Sequence, residues 1–229
     1  MKSKDAMKTT RIKIVENILD ANDQIAEVNS RTLKEHQVYS INIMASAGAG
    51  KTSLILKTVQ ALSNDLRMAV IEGDTAPVTI DADKVQAVGI PAVQINTSGD
   101  CHLDAPKVRS GLSQLSLKDL DLIIIENIGN LICPAAFKLG SSINVLIASI
   151  PEGDDKPYKY PTIYRGIDAL ILNKIDLKPY VDFNETYFKK GIEILNPGVK
   201  FFELSCKTGE GLNAWTNWLK SKISDFKNE

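Results

Sequence analysis

Apolar residues recur at three- and four-residue steps between Thr10 and about Lys34, in a stretch without Gly or Pro. This spacing predicts one long amphipathic helix. The residues on its apolar side are Ile12, Val15, Ile18, Leu19, Ile25, Ala26 and Leu33. Because the opposite side mixes acidic residues such as Glu16 and Asp20 with basic ones, we expect this helix to lie against a domain core rather than on a membrane surface.

After Gln37 the pattern changes to short β-rich runs separated by longer helical or polar stretches. The predicted strands are Val38–Met44, Met68–Glu72, Val93–Asn96, Leu122–Glu126, Val145–Ile150, Ala169–Leu172 and Val199–Leu204. Strands that are apolar through their middles and separated by crossover-length segments are typical of a mostly parallel sheet with helices on both faces. A last helix is expected from about Gly211 to Phe226, with Trp215 and Trp218 as core anchors. The sequence predicts an α/β fold, with a helical extension over residues 1–36 and one domain over residues 37–229.

Composition narrows the class of protein without indicating a function. Of 229 residues, 44% are hydrophobic and 24% are charged, which is typical of a folded globular chain. The formal net charge of −1 leaves no excess of positive charge that would favour binding to nucleic acid or to an anionic membrane. No apolar run approaches the roughly 18 residues of a membrane helix, and Met1–Lys8 does not resemble the start of a secretory signal. With an odd count of 3 cysteines, the expectation is a cytoplasmic protein with reduced thiols.

The first predicted strand leads directly into the Gly-rich segment Ala45–Ser53 and then into a helical sequence. This order is that of a phosphate-binding loop, in which glycines let backbone N–H groups turn towards a phosphate at a helix N-terminus. Lys51 is placed to reach the β- and γ-phosphates, and the Thr52 hydroxyl is placed to bind Mg²⁺. The expected nucleotide contacts are Ala47, Gly48, Ala49, Gly50, Lys51, Thr52 and Ser53. The usual opening Gly of the pattern is Ala45 here.

The segment Asn173–Asp176 follows a predicted strand and indicates which base is bound. The Asp176 carboxylate can accept hydrogen bonds from guanine N1–H and the N2 amine, whereas adenine presents a bare N1 acceptor. Asn173 is expected to contact the opposite edge of the base, and the stem of Lys174 to lie over the ring. Guanine-nucleotide switches place a second base contact after the last strand, where this chain has Ser205, Cys206 and Lys207.

Acidic residues follow two other predicted strands. Glu126–Gly129 occupies the position of a γ-phosphate sensor, and we assign Glu126 to catalysis together with Lys51 and Thr52. Asp74 is likewise assigned to catalysis, as an outer-sphere Mg²⁺ ligand at the strand edge where open parallel sheets bind ligands; the alternative is a helix N-cap. Neither an arginine finger nor a catalytic glutamine can be picked out, so intrinsic GTP hydrolysis is expected to be slow.

Soft metal ligands form a second set of candidates. Cys101 and His102 are adjacent just before a predicted helix, and Cys133 follows the γ-phosphate sensor. The helix start is expected to lower the pKa of the Cys101 thiol, and two thiolates with one imidazole suit Ni²⁺, Zn²⁺ or Cu⁺. The alternative is that Cys133 is a small buried hydrophobe and that the Cys-His pair binds nothing. Cys206 is assigned to packing or to a backbone contact with the base, and His36 to a solvated turn.

Together these residues resemble the HypB family, GTPases that help to insert nickel into [NiFe]-hydrogenase and, in some organisms, urease. The likeness runs from Val38 to about Leu219. It is carried by Ser46–Thr52, Val70–Asp74, Gln94–Thr97, Cys101–Ala105, Ile125–Ala135, Pro151–Pro157 and Leu172–Leu177. The resemblance implies a dimerising phosphate-loop GTPase whose metal, Ni²⁺ or Zn²⁺, is held between two subunits by Cys101, His102 and Cys133. It also implies two partners, a HypA-like nickel-delivery protein and the precursor of the hydrogenase large subunit.

The chain departs from this family at three places. Residues 1–37 contain no Cys and one His, unlike members with an N-terminal Cys-rich site or a His-rich tract. Pro106 and Arg109 stand where some members have histidines, and Ser98-Gly99 replaces a common Gly-Lys. A long-term nickel store is therefore not expected.

Three alternative functions stay open. One is a related GTPase chaperone for urease or for a cobalamin-dependent mutase, although urease-type members carry Cys-Pro-His whereas here Cys101-His102 and Cys133-Pro134 are separate. Another is a signalling switch without a metal. A small-molecule kinase is disfavoured by Asn173–Asp176, because an ATP-dependent kinase has no need for a guanine-reading motif.

Overall fold

A computed structural model describes residues 14–75, 87 and 89–228 of the chain. Seven strands form one sheet in the order β3-β2-β4-β1-β5-β6-β7, and every neighbouring pair is parallel. The strands are β1 (Tyr39–Ala45), β2 (Met68–Asp74), β3 (Ala92–Asn96), β4 (Leu122–Glu126), β5 (Ile143–Ser149), β6 (Ala169–Asn173) and β7 (Lys200–Glu203). Each coincides with a predicted strand, with small shifts at the ends. The predicted α/β fold with a mostly parallel sheet is confirmed.

The helices cover both faces of this sheet. They are α1 (Ile14–Glu35), α2 (Lys51–Leu62), α3 (Ala105–Leu112), α4 (Lys156–Lys159), α5 (Pro161–Arg165), α6 (Glu185–Leu195) and α7 (Leu212–Lys227). Short 3₁₀ helices occupy several connections, including Cys133–Ala136 and Ile175–Tyr180. Within the described part of the chain, no helix is long and apolar enough to cross a membrane.

Alternating side chains of the strands supply the core on both faces. On one face, α2 and α7 pack on the sheet, and the buried Trp215 ring donates from Nε1 to Thr58 Oγ1 at 2.9 Å. On the other face, Tyr164 and Phe188 of α5 and α6 form one cluster, and α1 and α3 form another around Leu103. Trp215 is the core anchor that the sequence predicts, and Trp218 packs beside it.

Helix α1 begins in the described residues at Ile14; the predicted start at Thr10 lies outside them. Its buried face is Asn22, Ala26, Asn29 and Leu33, which recur at four- and three-residue steps. The prediction that Ile18 lies on the packed side is wrong, since 53% of its surface is exposed. Two asparagines occupy positions where the hydrophobic pattern predicts apolar side chains.

All strands are parallel, so their carboxyl ends meet at one edge of the sheet. β1 lies between β4 and β5, where connections leave in opposite directions along the sheet. Open α/β sheets bind ligands at such a switch point. The loops after β1, β2, β4 and β6 carry most of the predicted site residues to this edge.

Candidate nucleotide and metal site

The phosphate-binding loop joins β1 to α2 and depends on two glycines with positive φ. Gly48 has φ 77° and Gly50 has φ 106°, a region that side-chain-bearing residues rarely adopt. A Cβ on Gly50 would also overlap the Asn173 amide. The positive φ angles let the backbone turn sharply before α2 begins at Lys51, which is the setting in which loop N–H groups can bind a phosphate.

The predicted Mg²⁺ ligand Thr52 and the predicted sensor residue Glu126 meet beside this loop. Thr52 Oγ1 donates to Glu126 Oε1 at 2.9 Å. Asp74 ends β2, and β2 pairs with β4 so that Glu72 lies opposite Glu126. A hydroxyl and carboxylates at one edge fit the oxygen ligands that Mg²⁺ prefers. The alternative role of Asp74 as a helix N-cap involves residues 76–86, which lie outside the described part of the chain.

The sensor loop touches the phosphate-binding loop directly at Gly129. A Cβ on Gly129 would lie 2.9 Å from Ala47 Cα and 3.0 Å from Ala47 N. Only glycine permits this approach of the two backbones. A γ-phosphate held by the loop would therefore lie against the segment that leads to Cys133.

The residues predicted to read the base are connected by hydrogen bonds. Ser205 Oγ donates to Asp176 Oδ1 at 2.6 Å, which fixes the orientation of the Asp176 carboxylate. Lys174 Nζ donates to Gly48 O at 2.7 Å and so spans the phosphate-binding loop. Lys207 lies on the exposed loop after β7, where its N–H donates to Ser205 Oγ.

Asn173, predicted to contact the base edge, is 1% exposed and also connects three loops. Its Nδ2 donates to Ala49 O at 2.9 Å, and its Oδ1 accepts from Lys174 N at 2.8 Å and Cys206 N at 3.2 Å. Cys206, assigned to packing or to a backbone contact with the base, has its side chain buried in the core, and burial raises the pKa of its thiol to about 11. Sequence reasoning missed the connecting role of Asn173 because the phosphate-binding loop is distant in sequence.

The three soft ligands come together on two loops. The ligand atoms of Cys101, His102 and Cys133 lie within 4.8 Å of one another. Cys101 Sγ is 2.8 Å from Cys133 Sγ and 3.7 Å from His102 Nδ1. Cys101 is exposed and the other two are half-buried, so an ion could enter from solvent. Two thiols and one imidazole in this arrangement fit Ni²⁺ or Zn²⁺ with at least one position open.

The pKa values of Cys101 and His102 are both shifted in this cluster, and the shift at Cys101 is opposite to the one predicted from the sequence. Burial, followed by the charge of Lys107, lowers the pKa of His102, so the imidazole is neutral and able to bind a metal at pH 7. The pKa of Cys101 is raised, because its thiol hydrogen-bonds to Cys133. The predicted lowering is wrong for a physical reason: α3 begins at Ala105, so Cys101 lies before the first turn of the helix.

Two asparagines that sequence reasoning missed join the sensor loop to the Cys-His loop. Asn127 is completely buried, and its Oδ1 accepts from Leu103 N at 3.1 Å and Ile128 N at 2.9 Å. Asn130 Nδ2 donates to Cys101 O at 3.2 Å. These contacts connect the loop after β4, which is predicted to sense the γ-phosphate, with the backbone around Cys101.

A further missed residue is Glu152, in the 3₁₀ helix that follows β5. Its carboxylate accepts from the Ser46 hydroxyl and from Ser149 Oγ, the latter at 2.7 Å. Glu152 thus fixes the entry to the phosphate-binding loop. Two signals were available in the sequence: Glu152 comes just after a predicted strand, and it lies in the segment Pro151–Pro157 that carries the family resemblance. His36, assigned to a solvated turn, is exposed and pairs with Thr32 O at 2.8 Å.

Comparison with known proteins gives consistent matches. The CobW/HypB/UreG nucleotide-binding domain model matches residues 39–203. The hydrogenase maturation factor HypB of Azotobacter chroococcum is 41% identical over 91% of this chain and 68% of its own length. The hydrogenase/urease maturation factor HypB of Helicobacter pylori is 38% identical over 92% of this chain and 88% of its own length.

Two solved structures share the fold. The hydrogenase maturation factor HypB of Archaeoglobus fulgidus superposes with a TM-score of 0.84 and 36% identity, over 90% of this chain and 100% of that one. HypB from Helicobacter pylori in complex with nickel superposes with a TM-score of 0.85 and 33% identity, over 90% of this chain and 96% of that one. The phosphate-loop fold predicted from sequence is confirmed.

Proposed function

Because this chain belongs to the HypB proteins of the CobW/HypB/UreG family, we propose that it is a GTP-hydrolysing nickel metallochaperone acting in [NiFe]-hydrogenase maturation. One observation carries the proposal: the ligand atoms of Cys101, His102 and Cys133 converge within 4.8 Å. A switch that binds no metal has no need to bring three soft ligands from two loops together.

The residues around the phosphate-binding loop and Asp176 support the proposal that the protein is a GTPase. The phosphate-binding loop positions Lys51 on the phosphates, and Asp176, held by Ser205, reads guanine. Mg²⁺, when bound by Thr52 and Asp74, stabilises charge that develops on the phosphates. Glu126 accepts from the Thr52 hydroxyl, so its carboxylate lies beside the residue that would hold the ion. With no arginine finger identified, turnover by the isolated protein is expected to be slow.

The proposed mechanism couples the two halves through the sensor loop. Gly129 lies against Ala47 of the phosphate-binding loop, and Cys133 follows four residues later. Binding or loss of the γ-phosphate moves such loops. A shift of Cys133 relative to Cys101 and His102 changes metal affinity, because coordination distances tolerate only about 0.2 Å.

The client and partners follow from the relatives rather than from the site. We propose that a HypA-like protein delivers nickel and that the precursor of the hydrogenase large subunit receives it. A urease client is the alternative, favoured by the hydrogenase/urease name of the Helicobacter pylori relative. Zn²⁺ suits the same ligands and is the alternative cargo.

Metal analysis of protein loaded with GTP, GDP or no nucleotide tests the proposal. We expect stoichiometric Ni²⁺ after equilibration and gel filtration, with a content that depends on the nucleotide. Protein with both ATP and Mg²⁺ in place of GTP is the control for base specificity. Absence of bound Ni²⁺ and Zn²⁺ in all three states would favour the signalling switch instead.

A GTP-promoted homodimer is a further prediction. Three ligands in one chain leave a tetrahedral site incomplete, and a two-fold pair of chains can share ligands across its axis. Ile132, beside Cys133, is 67% exposed and is available to such an interface. Light scattering should give a doubled mass when a GTP analogue and Ni²⁺ are both saturating. A monomer under those conditions contradicts the prediction.

A further inference from the structure

We propose that Asn22 and Asn29 of α1 are positioning residues that hold together the two loops carrying the metal ligands. The helix, which the sequence presents as an extension, would then form part of the metal site. The inference rests on the proposed function for the identity of the ion. The two asparagines contact the backbone that follows Cys101–His102 and the backbone that follows Cys133.

Asn29 connects both loops with one amide group. Its Nδ2 donates to Ala105 O at 2.9 Å and to Leu139 O at 3.0 Å. Ala105 lies three residues after His102, and Leu139 lies six residues after Cys133. Both hydrogens of the amide are thus used, one on each ligand-bearing segment.

Asn22 repeats this arrangement two turns earlier in the helix. Its Oδ1 accepts from Ala105 N at 2.8 Å, and its Nδ2 donates to Lys138 O at 2.9 Å. Ala105 is the first residue of α3, whose N–H has no partner within its own helix. Asn22 therefore also satisfies the start of the helix that follows the Cys-His pair.

The loop after Cys133 lies directly on the backbone of α1. Gly140 has φ 86°, and a Cβ there would overlap Ala26 O and come 2.7 Å from Asn29 Cβ. Ala26 is 3% exposed and lies between the two asparagines on the same face. The adjoining ion pair of Lys138 with Asp23 is exposed, so it contributes little. Buried backbone contacts, rather than surface charge, hold the loop.

Two buried asparagines on the inner face of α1 indicate that this helix does more than cover the hydrophobic core. A helix that only shields a core needs apolar side chains on its inner face. Burying an amide is costly unless it is hydrogen-bonded, and Asn29 is 1% and Asn22 4% exposed. Each amide bonds to both segments, so the pair fixes the distance between them. Outer partners that orient metal ligands typically change metal affinity about 10–100-fold when they are removed.

The test compares Asn22→Ala and Asn29→Ala with Asn196→Ala as the matched control. Asn196 Nδ2 likewise donates to two carbonyls, Tyr164 O at 3.1 Å and Ile167 O at 2.7 Å, on elements that carry no metal ligand. Ni²⁺ affinity is measured by titration in the GDP-bound state, together with GDP affinity in the absence of metal. We expect at least a tenfold loss of Ni²⁺ affinity in the α1 variants, and GDP affinity within about twofold of wild type in all three.

A second readout does not depend on nickel. Phenylarsine oxide binds two neighbouring thiols through one arsenic atom and releases water, so its binding reports how close Cys101 and Cys133 are. We expect one equivalent on wild-type and Asn196→Ala protein and weakened binding to both α1 variants. Where Asn29→Ala fails to fold, Asn29→Ser, which keeps one donor, replaces it.

The outcomes separate this inference from the proposed function. Wild-type protein that binds the arsenical but no Ni²⁺, with weakened arsenical binding in the α1 variants, upholds the positioning role and contradicts the nickel function. Unchanged Ni²⁺ and arsenical binding in both α1 variants overturns the positioning role and leaves the nickel function intact. An equal loss in Asn196→Ala also overturns it, because the effect would then be one of general stability.

Discussion

A Cys133→Ala variant is expected to lose stoichiometric Ni²⁺ and Zn²⁺ binding. Cys133 supplies one of three ligand atoms that lie within 4.8 Å of one another. Structural zinc sites with four ligands have binding free energies of about 10–16 kcal/mol, or roughly 3 kcal/mol per ligand, so losing one costs about 100-fold or more in affinity. A titration followed by thiolate-to-metal charge-transfer absorption measures this loss.

The control for this experiment is Cys206→Ala. Cys206 is 8% exposed and packs in the core, away from the cluster of soft ligands. Its removal should leave Ni²⁺ affinity unchanged while lowering stability, because the core loses a buried side chain. Undiminished Ni²⁺ binding by Cys133→Ala, with both variants folded, contradicts the assigned ligand set.

An Asp176→Asn variant should lose GTP affinity about 100-fold or more and gain affinity for xanthosine triphosphate. The carboxylate is predicted to accept from guanine N1–H and the N2 amine, and hydrogen bonds to charged groups contribute about 1.5–3 kcal/mol each. Ser205 donates to Asp176 Oδ1, so in the variant the carbonyl oxygen is held there and the new NH₂ faces the base. That donor opposes the guanine amine and matches the C2 oxygen of xanthine. Calorimetric titration with the two triphosphates measures the exchange.

Asp182→Asn is the matched control for charge, since Asp182 is an exposed carboxylate on the following loop. It should bind GTP as wild type does. Comparable binding of ATP and GTP by the wild-type protein, or unaltered GTP affinity in Asp176→Asn, would rule out guanine reading by Asp176.

Most strands could be predicted because they are short apolar runs buried inside the sheet; the edge strands β3 and β7 are only partly buried but keep apolar residues in their middles. Helix α1 shows where such a pattern fails. Its inner face contains Asn22 and Asn29, whose burial depends on carbonyls of Ala105, Lys138 and Leu139, far away in sequence. Hydrophobicity alone therefore placed Ile18 inside, although it is exposed.

The site shows the same division between local and long-range information. The phosphate-binding loop is local in sequence, and its residues lie at the predicted sheet edge. The role of Asn173 depends on Ala49, 124 residues away, and the pKa of Cys101 depends on Cys133, 32 residues away. Asn127 and Glu152 lie in segments that carry the family resemblance, Ile125–Ala135 and Pro151–Pro157, but only their partners in the structure reveal what each residue holds.

Paired Ni²⁺ titrations of GDP-bound and GTP-analogue-bound protein test the central claim, that nucleotide state and metal affinity are coupled. Gly129 lies against Ala47, and Asn130 bonds to the backbone of Cys101, so a reordered sensor loop displaces the ligands. The two affinities should differ about 5–150-fold, the range of typical coupling free energies of about 1–3 kcal/mol. By linkage, Ni²⁺ should change the affinity for the GTP analogue relative to GDP by the same factor. Identical Ni²⁺ affinities in the two nucleotide states would contradict a GTP-gated metallochaperone.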